Sequence, residues 1–112
     1  MKVVVAVIKP FRLNAVHDAL HTLGVAGFTV YEAKGHGRQK GHSDIYRSVE
    51  YVANFLPKLR VEVIVATGLV DRVVEAIATA ARTGESGDGK IYVHSVDQVM
   101  RIRNGATDEN AV

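Results

Sequence analysis

One pattern occurs twice along the chain and limits the fold more than any single motif: an apolar strand, an amphipathic helix, and a further strand. Lys2 to Ile8 is an apolar run rich in β-branched residues, ended by Lys9-Pro10, as expected of a central strand. From there apolar residues fall at Leu13, Val16, Leu20 and Leu23, which predicts a helix of about three turns with Asn14 as its cap and Gly24 as its terminator. Phe28 to Lys34 alternates as a second strand. Leu59 to Ala66 alternates more cleanly, with Leu59, Val61, Val63 and Val65 on one face and Arg60, Glu62 and Ile64 on the other. Thr67-Gly68 then opens a second helix, striped by Leu69 or Val70, Val73, Val74, Ile77 and Ala81 and closed by Gly84. Ile91 to Val96 is a fourth strand.

The order is β-α-β-β-α-β, an α+β chain with the split arrangement of ferredoxin-like folds. Right-handed crossovers place both helices on one face of an antiparallel four-stranded sheet. The other face still carries Ile64 and part of the set Val3, Val5 and Val7. An uncovered apolar face of that size implies an oligomer. At 112 residues a single domain is expected, and the 47% hydrophobic and 23% charged composition is that of an ordinary globular chain.

The formal net charge of +2 is too small for a dedicated nucleic-acid binder, yet local basic clusters suit a phosphate-bearing small molecule. The absence of cysteine excludes disulfides and thiolate metal sites. No apolar run approaches the ~18 residues of a membrane span, and the N-terminal apolar run is too short for a signal peptide. A cytoplasmic location is expected.

Between the second and third strands lies Gly35 to Lys58, far longer than a hairpin turn requires. Its first residues, Gly35, Gly37, Arg38, Gln39, Lys40 and Gly41, combine glycines and cations in the manner of a turn that wraps a polyanion. The third glycine of a dinucleotide fingerprint is missing, and no helix follows. A second cluster, Gly84-Glu85-Ser86-Gly87-Asp88-Gly89-Lys90, matches G-x-x-x-x-G-K but leads into a strand, with Ile91 where a magnesium-binding Ser or Thr should stand. The third is Arg101-Ile102-Arg103, two guanidinium groups on one side of an extended segment. These clusters need not be adjacent within one subunit, but they can meet across a subunit boundary. Together they supply the cations and free N–H groups that a triphosphate needs.

Other candidates read more plainly. His17 and His21 have i, i+4 spacing without a third ligand nearby, so they are read as histidines of a solvated helix face. His42-Ser43-Asp44 are adjacent in a loop and cannot nest as a triad. Tyr46 and Tyr51 are expected to be exposed in the long loop.

Taken together, K-G-H-G-R-Q-K-G-H-S-D-I-Y-R-S-V-E-Y, F-L-P-K, A-A-R-T-G-E-S-G-D-G-K-I and R-I-R-N-G resemble the PII family of nitrogen regulatory signal proteins, in register over essentially the whole chain. The resemblance implies a homotrimer of ferredoxin-like subunits with nucleotide sites in the clefts between them. Residues from about 37 to 55 would form the T-loop, about 82 to 90 the B-loop, and about 102 to 112 the C-terminal loop. The adenine side would use the backbone around Val7 and Ile64 with Thr29 and Glu62. The phosphates would meet Gly35, Gly37, Arg38, Gln39, Gly87, Asp88, Gly89 and Lys90, plus Arg101 and Arg103. ATP with Mg2+ would build a 2-oxoglutarate site, with Gln39 completing the metal's shell, Lys40 and Gly41 beside it, and Lys58 on the distal carboxylate. Tyr51 matches the tyrosine uridylylated in many bacterial members. Departures fall at Ser48 and Val49, at Thr67-Gly68, and in the tail after Arg103.

The implied function is a non-enzymatic sensor in which ATP, ADP and 2-oxoglutarate select a loop conformation. That conformation controls a partner such as an ammonium transporter, a modifying enzyme or a metabolic enzyme; membrane contact would be indirect, through the transporter. An adenine-nucleotide sensor with another second ligand or target is the nearest alternative. An RNA-binding module on the same topology would want stacking aromatics on the two central strands, which Val3 to Val7 and Val61 to Val65 do not supply. A small hydrolase would need a residue placed to activate water, and none stands out; slow ATP turnover remains compatible with the sensor.

Overall fold

The computed structural model describes residues 1–37 and 55–112. Its elements run β1 (Lys2–Ile8), α1 (Leu13–Thr22), β2 (Thr29–Gly35), β3 (Leu56–Val65), α2 (Val70–Ala81) and β4 (Lys90–Ser95). The strands make one sheet in the order β2-β3-β1-β4, antiparallel at every pairing. This is the α+β, β-α-β-β-α-β arrangement that the repeated pattern predicts. Among the described residues no helix is long and apolar enough to cross a membrane.

Alternation along β1 and β3 decides the layering. Val4, Ala6 and Ile8 share a face with Val61 and Val63, and all are essentially buried against Val16 and Leu20 of α1 and Val73 and Ile77 of α2. Both helical stripes are therefore core positions, as their spacing requires.

The opposite face carries all of Val3, Val5 and Val7 together with Ile64, since cross-strand partners share a face and Val3 pairs with Ile64. Among the described residues no helix packs there, but the face is less bare than the sequence suggests. Val5 is fully buried between Glu62 and Tyr92, its partners on either side, while Ile64 and Tyr92 remain 39% and 46% exposed. The larger neighbours shield the small valines and leave their own outer surfaces exposed.

Several strand ends shift by one residue from the sequence reading, and three further differences have a physical cause. Asn14 does not cap α1: the helix grows out of a 3-10 turn at Pro10–Arg12, and no side chain caps it. The α2 helix ends at Ala81 with Arg82 extended, so Gly84 belongs to the following turn. The β3 strand starts at Leu56 and includes Pro57, which pairs with Lys34 of β2 but lies beyond the reach of β1, whose pairing stops at Leu59. A proline is tolerated there because one side of the strand has no ladder to break.

Candidate functional site

The glycine-rich turn between α2 and β4 is organised by one carboxylate. Asp88 accepts from the Thr83 hydroxyl at 2.5 Å and from the N–H groups of Thr83 and Gly84 at 2.9 Å each. The ammonium of Lys9, at the end of β1, stands 3.2 Å from the same carboxylate and 3.1 Å from the Thr83 hydroxyl. The Thr83 hydroxyl, with help from the two N–H groups and Lys9 and against some desolvation, holds the Asp88 carboxyl well below the usual carboxylate range. Asp88 was expected among the nucleotide contacts, and its carboxylate is turned inward to brace the turn.

Gly89 then passes so close to β1 that a Cβ would stand 1.7 Å from the Val7 carbonyl oxygen, and its φ is +98°. No other residue fits that approach without moving backbone. Lys90 follows as the first residue of β4, paired with Val7.

Val7, Gly35, Gly37, Lys58, Gly89 and Lys90 line one cleft of about 680 Å³, joined by His36, Gly87 and Tyr92. Two lysines and glycine backbone facing a common space supply the kinds of group that recognise a phosphate or carboxylate. Lys58 donates from Nζ to the Gly87 carbonyl at 2.5 Å. Burial, and then the nearby charge of Lys9, push its pKa down, against a smaller opposing effect of Asp88.

A second cleft, of about 610 Å³, is lined by Thr29, Glu62, Ile64 and Arg101, together with Phe28 and Glu109. Glu62 is paired with Arg60 at 2.5 Å and accepts from the Tyr31 hydroxyl at 3.5 Å, while the Arg60 guanidinium lies 5.4 Å from the Tyr31 ring centre. Arg60 Nε is buried without a hydrogen-bond partner among the described residues.

The anticipated residues therefore separate into two groups within one chain. Val7 is level with Arg60 on β3, four residues from Ile64, which places the two about 13 Å apart along the strand. They cannot both grip one adenine ring from a single copy.

Arg101 and Arg103 do not share an extended segment. Residues 102–104 form a turn in which the Gly105 N–H donates to the Arg101 carbonyl at 2.8 Å, and a bridge between Met100 and Thr107 closes it. Arg103 is exposed on that turn. Asn104 stabilises it by accepting from the Ala106 N–H at 3.0 Å, a turn signal the sequence reading passed over.

His17 and His21 stack on the exposed side of α1 with ring centres 6.2 Å apart. Among the described residues no group of three or more His, Asp or Glu side chains is placed to hold a metal. Arg38, Gln39, Lys40, Gly41, His42, Ser43, Asp44, Tyr46, Ser48, Val49 and Tyr51 lie outside the described residues.

Sequence reasoning missed His36 and Lys9. The first stands between Gly35 and Gly37, so its place in the cluster was visible, and it meets Phe55 with ring centres 5.5 Å apart across the base of the long loop. The second was read only as the end of β1.

Comparison with known proteins gives a consistent result. The family described as "Nitrogen regulatory protein P-II" matches residues 1–106. Curated proteins bearing that description are similar over all 112 residues of both chains: 58% identical in Rhizobium etli, 54% in Azospirillum brasilense and 51% in Rhodospirillum rubrum.

Proposed function

Since this chain belongs to the nitrogen regulatory protein P-II family, we propose that it is a non-enzymatic regulator that binds ATP or ADP in clefts completed by a second copy of itself. Proteins of this family regulate partner proteins in nitrogen metabolism. The observation that carries the nucleotide reading is the division of the candidate residues into two half-sites. One chain offers a cationic glycine cradle at Val7, Gly37, Gly89 and Lys90. A neighbour offers Thr29, Glu62, Ile64 and Arg101. Phosphates suit the first set and an adenosine the second, because lysines and N–H groups recognise phosphate oxygens while apolar Ile64 and the acceptor Glu62 suit a base and a ribose hydroxyl. A homotrimer brings the two sets together three times.

The second ligand in this reading is 2-oxoglutarate, anchored at its distal carboxylate by Lys58 and bound only with MgATP. Gln39, whose amide oxygen is a hard donor of the kind Mg2+ prefers, would help hold the metal beside the phosphates. Residues 37–55 would form the loop that a partner reads, residues 82–90 and 102–112 would close over the nucleotide, and Tyr51 would be the modification point. Differential contact of the ligands with loop conformations is sufficient to drive such a switch. The RNA-binding alternative is disfavoured by the sheet: its exposed tyrosines, Tyr31 and Tyr92, stand on the outer strands, and Glu62 lies between them.

Titration calorimetry with ATP, ADP and AMP, each with and without Mg2+ and 2-oxoglutarate, tests the reading. Lys90→Ala and Arg103→Ala should each weaken ADP about ten- to a hundredfold at an unchanged melting temperature. Gln39→Ala should abolish 2-oxoglutarate binding while leaving ADP within about threefold, since an uncharged amide adds little to ADP. Full ADP affinity in both charge variants would place the phosphates elsewhere. A 2-oxoglutarate response without ATP would remove the shared-ligand half.

A further inference from the structure

Lys58 makes a long-range contact within the chain itself. Its side chain leaves β3, crosses Gly35 of β2 and ends on the Gly87 carbonyl, 29 positions further along the chain. The crossing depends on Gly35, where a Cβ would stand 3.0 Å from Lys58 Cγ and 3.2 Å from Cε. The residues that follow Gly87 are held by other contacts. Asp88 is tied to Thr83, Gly84 and Lys9, and Gly89 is pressed against Val7.

Resting on the nucleotide reading above, we propose that Lys58 is a positioning residue for the phosphate turn: its ammonium pins the Gly87 carbonyl and so fixes which way the peptide groups from Gly87 to Lys90 face. An ammonium has three donors. One on Gly87 leaves two for an incoming acid, so the same side chain holds the turn and receives the carboxylate. Lys58 is half-buried, which lowers its pKa, and a carbonyl acceptor compensates for the water that its ammonium loses. The two ligands are thus linked through one side chain, in addition to any link through a metal ion.

The test is amide hydrogen exchange at Thr83 and Gly84 in ligand-free protein, because both amides bond to Asp88 and report whether the turn is closed. Lys58→Met keeps the length and apolar stem but removes the donor. Exchange at both amides should become about tenfold faster and ADP should bind about tenfold more weakly, the effect of losing one charge-assisted bond. Lys58→Arg, which retains a donor, should restore slow exchange. Lys34→Met is the control, since its exposed side chain lies on the opposite sheet face from Lys58. Wild-type exchange in Lys58→Met, or equally fast exchange in the Met and Arg variants, overturns the proposal. Failure of the wild type to bind ADP would instead sink the nucleotide reading, and the exchange comparison would still decide the tether.

Discussion

Asp88 stands in a turn rich in glycine and next to a cationic cleft, a setting that reads from sequence as ligand contact. Its carboxylate accepts within the turn, and the physical reason is proximity: Thr83 and Gly84 lie just beyond the end of α2, where their N–H groups have no helical carbonyl to bond and need another acceptor. The pH consequence has a definite sign. Because the folded carboxyl is held below its ordinary value, the charged form is favoured by folding, and its contribution is complete at neutral pH. It starts to fall below the unfolded value of about 4 and is lost as pH drops through the depressed folded value. Asp88→Asn should therefore lower the melting temperature at pH 7, and the gap to wild type should narrow as pH is taken below about 4. A gap of equal size at pH 7 and pH 3 would mean that the charge contributes nothing.

At the scale of elements, the ends of helices were decided by side chains and carbonyls of unequal visibility. Gly24 ends α1 as expected from its residue type: with φ of +81°, its N–H reaches the His21 carbonyl at 2.9 Å and the Val25 N–H reaches that of Leu20 at 3.1 Å, a Schellman pair. Nothing lies within 4 Å of a Cβ built there, so only backbone conformation opposes a side chain. Gly24→Ala should cost about 1 kcal/mol in chemical denaturation. A neutral substitution would show that the left-handed turn is not required. The start of α1 falls at Leu13 as its spacing predicts, but what holds that end was not legible. Arg12 anchors it by donating from Nε and Nη2 to the Ala80 carbonyl of α2, at 2.9 and 2.6 Å. That partner is 68 residues away, out of reach of any local capping rule.

For the whole molecule, the sheet face without helices and the separation of the two half-sites lead to the same proposed assembly. A face holding Ile64, Tyr31 and Tyr92 partly exposed favours association, and Val7 and Ile64 cannot serve one nucleotide from a single chain at about 13 Å separation along β3. Light scattering on the purified protein should give about three times the 12.1 kDa chain mass. A monomer at micromolar concentration would remove both the trimer and the shared cleft.

Strand and helix identities, their order and the buried stripes were all legible in the sequence, because each is a local periodicity: two residues per repeat in a strand, 3.6 in a helix. The glycine and lysine clusters were legible because their members are neighbours in the chain. Contacts between distant segments were decided only by the tertiary structure. Pairing of β1 with both β3 and β4 brings Lys9 to Asp88 and places Val7 beside Gly89; the β2–β3 register carries Lys58 across Gly35 to Gly87. The same sheet geometry sends Thr29, Glu62 and Ile64 to one cleft and Val7, Lys58 and Lys90 to another. Residue type announced that charge and backbone were available for an anion, but which groups face a ligand and which face each other depends on register, and register is a property of the folded sheet.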